Sequence, residues 1–187
     1  MAAKTTLSVE QIDALSGGDR NDLCDAADAA IEAGGGFGWL SPPPREVLEN
    51  FWRGVLLVPE RSLIVGRLDG VIGGSAQLVR PTRNNEAQAH AATLMAIFVA
   101  PWARGHGLGR AIVLAVEEAA RADGFAVLNL DVRETQTAAI QLYEGLGYVR
   151  WGAHPRYARV NNAWVTGYFY SKELLMDSEA TTQERSE

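Results

Sequence analysis

The segment IFVAPWARGHGLGRAIVLAVEEAARA, Ile97 to Ala122, restricts the fold more tightly than any other part of this chain. An apolar run meets Pro101, crosses Arg104 and three glycines, and continues at once as an amphipathic helix. Pro101 has no N–H to give to a sheet ladder, so a strand must end or splay there. Gly105, Gly107 and Gly109 allow the backbone to turn tightly and bring bare amides close to a ligand. A helix beginning near Gly107 adds unsatisfied N–H groups and the positive end of its dipole. Arg104 and Arg110 bracket the loop with side-chain charge. Two readings stay open from the loop alone. It is a cradle for a phosphate or pyrophosphate, or a glycine-rich strand-to-helix turn that holds nothing.

The rest of the chain supplies the frame. RNDLCDAADAAIEAGGG reads as a helix ended by Gly34, Gly35 and Gly36. SPPPREVLENFWRGVLL opens on prolines and carries Val47, Leu48, Phe51 and Val55 at helical spacing. RSLIVGRLDGVIGGSAQLVR reads as a hairpin turning at Asp69-Gly70. TLMAIFV is a buried strand, and the helix after the loop points Leu108, Ile112, Val116 and Ala119 inward and Glu117, Glu118 and Arg121 outward. FAVLNLDV is a further strand, TQTAAIQLYEGLG a further helix, and RYARVNNAWVTGYFY two strands around Asn161-Asn162. A β-α-β-α middle flanked by antiparallel hairpins predicts a mixed α+β sheet.

A chain of 187 residues with 47% hydrophobic content buries one good core, so a single domain over residues 5–176 is expected, between a flexible N-terminus (1–4) and a flexible C-terminal tail (177–187). With 17 basic and 23 acidic residues the net charge is −6, which argues against nucleic acid and suits a cationic partner. Cys24 is the sole cysteine, so no disulfide framework forms and a reducing compartment is expected. MAAKTTLSVE has no apolar core of a secretory signal. The run Ala91 to Ala103 contains a proline and is too short to span a bilayer. The expected setting is the cytoplasm, without membrane attachment. His90, His106 and His154 lack metal-ligand spacing, so no metal is expected.

For the loop's ligand, the Walker pattern is absent, since no Gly-Lys-Ser/Thr follows. A dinucleotide site of an oxidoreductase would use a strand, glycines, a helix and Asp131 at the end of the next strand. Yet the glycines run G-x-G-x-G, and too little chain follows to complete a doubly wound sheet.

Arg104-Gly105-His106-Gly107-Leu108-Gly109 instead resembles the Arg/Gln-x-x-Gly-x-Gly/Ala loop of the GNAT-type acyl-CoA N-acyltransferases. LNLDV and AAIQLYEGLGY look like that family's next strand and helix. RYARVNNAWVTGYFYSKEL is similar to the final hairpin of the branch containing the tabtoxin-resistance acetyltransferase. GGFGWL, FWRGVL and GSAQL resemble earlier segments of that branch more loosely.

The resemblance implies an α/β/α arrangement around a mostly antiparallel sheet of six to seven strands, splayed between strands 4 and 5. It implies acetyl-CoA as co-substrate, its pantetheine arm against the backbone of Ile97, Phe98 and Val99. The pyrophosphate would take the N–H groups from Gly105, His106, Gly107, Leu108, Gly109 and Arg110, beside Arg104. Gln136 stands where many relatives carry an asparagine at the cofactor. The implied reaction is direct attack by a small-molecule primary amine, with the Val99 amide as donor to the thioester oxygen and Tyr143 as the acid for the leaving thiolate. Antibiotic or toxin modification fits that branch, and dimers are common in the family, so a homodimer is among the implied assemblies. An N-terminal protein acetyltransferase and a non-catalytic acyl-CoA sensor are the alternatives.

An alkylammonium with a pKa of ~10 must lose a proton before it attacks. Asp131 is opposed to Leu128, Leu130 and Val132 in an alternating strand, and as a solvated strand-end carboxylate or as ammonium binder it is read both ways. His90 is the second candidate base. The branch commonly reads His-Arg-Ala-Glu-Val here, whereas this chain has His90, Ala91, Ala92, Thr93 and Leu94, so the usual glutamate is missing. Trp39, Phe51 and Trp52 are assigned to packing ahead of an acceptor wall, and Tyr143 also lies on a helical face with Ala139, Leu142 and Leu146.

Overall fold

The computed structural model describes residues 5–35 and 37–174. The flexible termini expected at 1–4 and 177–187 and the last of the three expected helix-ending glycines, Gly36, lie outside the described residues. The elements run β1 (Leu7–Ile12), α1 (Gly17–Glu32), α2 (Arg45–Leu57), β2 (Arg61–Leu68), β3 (Val71–Val79), β4 (Ala91–Val99), α3 (Leu108–Ala122), β5 (Val127–Arg133), α4 (Thr137–Gly145), β6 (Val149–Val160) and β7 (Ala163–Glu173). Short 3₁₀ turns occupy Glu86–Gln88 and Pro101–Ala103. The strands form one seven-stranded sheet in the order β1-β2-β3-β4-β5-β7-β6. β1-β2, β2-β3, β5-β7 and β6-β7 are antiparallel, and β4-β5 is parallel. The mixed α+β sheet is therefore as expected.

β1 is the strand that the sequence reading omits. Its six residues are exposed or half-buried throughout, and the alternation begun by Leu7 and Val9 breaks at Gln11 and Ile12, which leaves LSVEQI too short a pattern to mark a strand. Its place on the sheet comes from pairing along β2, Leu7 with Leu68 through Ile12 with Leu63.

By the grouping of its contacts the chain forms two compact units, Met1–Val79 with Leu94–Val116, and Arg80–Thr93 with Glu117–Glu187. In the first, α1 buries Leu23, Cys24, Ala26, Ala27, Ala30 and Ile31 beside Leu48, Trp52 and Val55 of α2, over Leu63 and Val65 of β2. Ser16 caps α1 by accepting the Asp19 N–H at 3.0 Å. The opposite face of β2-β3 meets the start of α3 at bare backbone. A Cβ on Gly66 would lie 2.7 Å from Leu108 Cδ1, and one on Gly74 would lie 2.5 Å from the Phe98 carbonyl oxygen. Gly73 is the extra residue of a bulge, since Gly66 pairs with Gly74 and Arg67 with Ile72. Small residues here let the loop and helix sit down on the strands.

In the second unit, β5 buries Leu128, Leu130 and Val132 on one side, and Tyr143, Tyr148 and Tyr170 pack into one buried group. Glu117 corrects the helix reading. Rather than facing solvent beside Glu118, it is 1% exposed, held by Lys172 Nζ at 2.7 Å and Arg121 at 3.1 Å. At 100° per residue it falls on the buried stripe with Val113, Val116 and Ala120, and its charge is tolerated because two cations meet it.

Candidate functional site

The sequence-predicted residues fall into two groups, one in each unit. The first is the loop group. β4 ends at Val99, Ala100 gives its N–H to the Gly73 carbonyl at 2.8 Å, and Pro101 begins a 3₁₀ turn. Gly105 and Gly107 both hold positive φ, 80° and 81°, and nothing stands within 4 Å of where a Cβ would be. Glycine is required there by conformation, and the space it leaves is open. α3 starts at Leu108, whose side chain is buried, and its first turn closes with Ala111 N–H on Gly107 O at 3.0 Å. The amides ahead of Ala111 have no partner within the helix. Arg104 bends back, its Nε giving a hydrogen bond to the Val99 carbonyl at 3.2 Å, so loop and strand end are tied together. His106, Gly107 and Arg110 are exposed, and Gly109 half-buried.

One feature of β4 was not legible in its residues. Ala96 has φ 50°, in the left-handed region, which costs a residue with a Cβ about 1 kcal/mol. It directly precedes Ile97, Phe98 and Val99, of which Phe98 is buried and Ile97 and Val99 are half-buried. A break in the strand's regular pleat therefore sits at the residues expected to meet the pantetheine arm. Phe98 stacks on Phe37 at 4.9 Å, within a cluster that includes Trp39, Phe51 and Trp52. Trp52 is fully buried, as packing requires.

The second group lies on and beside β5. The parallel ladder pairs Ala91, Ala92 and Thr93 with Val127, Leu128 and Asn129; past it β4 continues to Val99 and β5 to Arg133. Asp131 is exposed on the face opposite its buried neighbours, as the alternation predicts. Tyr143 is 2% exposed, with ring centroids 5.8 Å from Tyr148 and 6.4 Å from Tyr170. Burial pushes its phenol well above the ordinary tyrosine value, and the charge of Asp131 adds to the rise. Asp131 and Tyr143 thus form an electrostatically linked pair. His90 is exposed at the other end of β5, its carbonyl accepting from Ala126 and Val127. That places it about 13 Å along the strand from Asp131, at ~3.3 Å per residue. Gln136 is the N-cap of α4, its N–H on Arg133 O at 2.9 Å.

Tyr157 is the residue that sequence reasoning missed. Its hydroxyl gives a short hydrogen bond to Asp131 Oδ2, and its phenol is raised by burial first, then by that bond and the carboxylate's charge. No pattern in the sequence marks it: its ring lies on the bare backbone of Gly167, where a Cβ would collide with it. Among the described residues no group of three or more His, Cys, Asp or Glu could hold a metal, and no helix is long and apolar enough to cross a membrane.

A positive-φ glycine loop feeding a helix N-terminus suits a phosphate group, and a buried phenol beside a carboxylate is a pair that can exchange protons. Known proteins share this fold. The structure superposes on that of an acetyltransferase from Acinetobacter baylyi ADP1 with a TM-score of 0.77, at 17% identity, covering 95% of this chain and 97% of that one. An acetyltransferase from Salmonella typhimurium, solved with its cofactor acetyl-CoA, gives a TM-score of 0.69 at 18% identity, over 90% of this chain and 94% of that one. In sequence, an uncharacterized N-acetyltransferase in the hisH-hisA intergenic region of Azospirillum brasilense is 71% identical over 132 residues, 71% of this chain and 79% of the relative. Residues 25–148 match the Acetyltransferase (GNAT) family. The chain belongs to the GNAT family of acetyltransferases.

Proposed function

We propose that this acetyltransferase moves the acetyl group of acetyl-CoA to a primary amine of a small molecule, by direct attack in a ternary complex and as a single catalytic domain. The observation that carries the reading is the loop at Gly105 and Gly107, whose positive φ values lead the chain into the start of α3, where the first amides have no partner within the helix. Those amides and Arg110 would hold the pyrophosphate, while the backbone of Ile97, Phe98 and Val99 would pair with the amides of the pantetheine arm. The Val99 N–H would donate to the thioester oxygen as it gains charge.

Asp131 takes the base role ahead of His90, because Asp131 is coupled to Tyr143 and His90 is at the strand's far end. The ammonium first gives one proton to Asp131, directly or through water; the freed amine nitrogen then attacks the carbonyl carbon, forming C–N, and the C–S bond breaks. The thiolate takes the Tyr143 hydroxyl proton, and the second proton of the newly bonded nitrogen returns through water to the phenolate. Most of the acceleration comes from holding the reactants together, where effective molarities of ~10⁵ M or more are reached.

The test is thiol release from acetyl-CoA over a panel of small amines and peptides with free N-termini. Turnover on small amines is expected; turnover on peptides alone, or acetyl-CoA binding with none, would overturn the acceptor class. Kinship with the tabtoxin-resistance branch, and so a toxin or antibiotic amine, is part of the proposal, supported by GSAQL at 74–78 and the final hairpin. A cytoplasmic setting fits the single buried cysteine, whose thiol burial pushes up to about 11.

A further inference from the structure

In an antiparallel pair, directly opposed residues project to the same side of the sheet. Asp131 opposes Phe169, Asn129 opposes Ser171 and Arg133 opposes Gly167, so these share the face turned away from Leu128, Leu130 and Val132. β6 meets this face through two irregularities. The ladder jumps from His154↔Gly167 to Ala158↔Val165, which leaves Pro155, Arg156 and Tyr157 opposite Thr166 alone. The excess chain lets the Tyr157 ring cross β7 at Gly167 and reach Asp131 on β5. The second jump, between Arg150 and Gly152, displaces Trp151 from the ladder, and its ring lies 5.5 Å from Phe169. Tyr157 meets Phe169 from the other side at 5.9 Å, edge to face at 85°. Three rings thus line one surface, with Asp131 at its edge.

These rings are not sunk in a core. Trp151 is 66% exposed, Tyr157 37%, and Phe169 half-buried. A carboxylate beside aromatic faces attracts an ammonium twice, through its charge and through the ring quadrupoles, while the rings offer apolar area to whatever the ammonium is attached to. Arg133 shares the face, paired in register with Gly167 two residues along β5 from Asp131, and its charge lowers the Tyr157 phenol, the last of the influences on that group. We infer that Tyr157, Phe169 and Trp151 form the acceptor-selecting wall, taking a primary amine carried on an apolar, preferably aromatic, body, with the ammonium on Asp131. Tyr157 is both wall and positioning residue: its bond to Oδ2 fixes the carboxylate and leaves Oδ1 to face the amine.

This inference rests on the amine-acetylating reading and deepens it. The experiment compares kcat/KM for 2-phenylethylamine and ethylamine, whose reacting groups match and whose bodies differ. Wild type should favour 2-phenylethylamine by about tenfold or more, the effect expected of burying a ring. Trp151→Ala, at an exposed position, and Phe169→Ala should bring that ratio towards one, with melting curves to confirm folding. Tyr157→Phe keeps the ring, so it should retain the ratio while lowering kcat for both amines. Equal use of the two amines by wild type, or a ratio untouched in Trp151→Ala, would overturn this inference and leave amine acetylation standing. Acetyl-CoA binding without turnover of either amine would overturn both.

Discussion

Tyr143 sits where chemistry and packing make opposite demands, and a single atom separates them. Its ring fills space between Tyr148 and Tyr170, while its hydroxyl proton is held by burial and by Asp131. Tyr143→Phe should therefore lower kcat roughly 100-fold while leaving the melting temperature nearly unchanged; full activity in stopped-flow or steady-state assays would remove the hydroxyl from the mechanism. Ala96 gives a second test. Valine is the better strand former, yet at φ 50° a β-branched residue is strained, so Ala96→Val should destabilise by about 1–2 kcal/mol in urea titration. A gain in stability would show that β4 is regular there. Both residues mark the limit of reading from residue type. The burial of Tyr143 was legible in the helical face it shares with Ala139, Leu142 and Leu146, whereas nothing about an alanine in an apolar run announces a positive φ. Glu117 was misread for the reverse reason: its chemistry suggested solvent, but its position on α3 is in the buried stripe.

Elements were legible where their signal was local. Asp69-Gly70 does turn β2 into β3, Gly105 and Gly107 do hold left-handed backbone, and Asn161 and Asn162 both have positive φ at the β6-β7 turn. β1 was hidden because its strand character depends on β2, and the β6 bulge because it depends on register with β7. The loop carries the next prediction: Gly107→Val should raise the KM for acetyl-CoA tenfold or more, equal to about 1.4 kcal/mol of binding, in a protein still folded by circular dichroism. An unchanged KM would end the cradle reading. α3 and β7 carry another. Lys172→Met removes the nearer of two cations from buried Glu117, and should cost about 2–3 kcal/mol, seen as a melting temperature lower by roughly 4–12 °C. A variant as stable as wild type would mean Arg121 suffices.

On the scale of the molecule, four phenols share a direction. Tyr143, Tyr148, Tyr157 and Tyr170 are all raised, in each case by burial first. Their folded-state values lie above the unfolded value of about 10, so the folded state keeps protons that the unfolded state releases in alkali. Stability from this source is fully present below pH ~10 and is lost as pH climbs beyond it. Melting temperatures should hold from pH 8 to about 10 and then fall, with a shallower fall in Tyr148→Phe; a flat profile to pH 11.5 would contradict the shared shift. The boundary between the units has a different consequence, for anyone wishing to divide the protein. The chain passes from one to the other after Val79, after Thr93 and again after Val116, so β4 and α3 are each divided between the two. No truncation from either terminus yields an intact unit; a fragment holding the glycine loop with its own core would have to be spliced from two separated stretches of the gene.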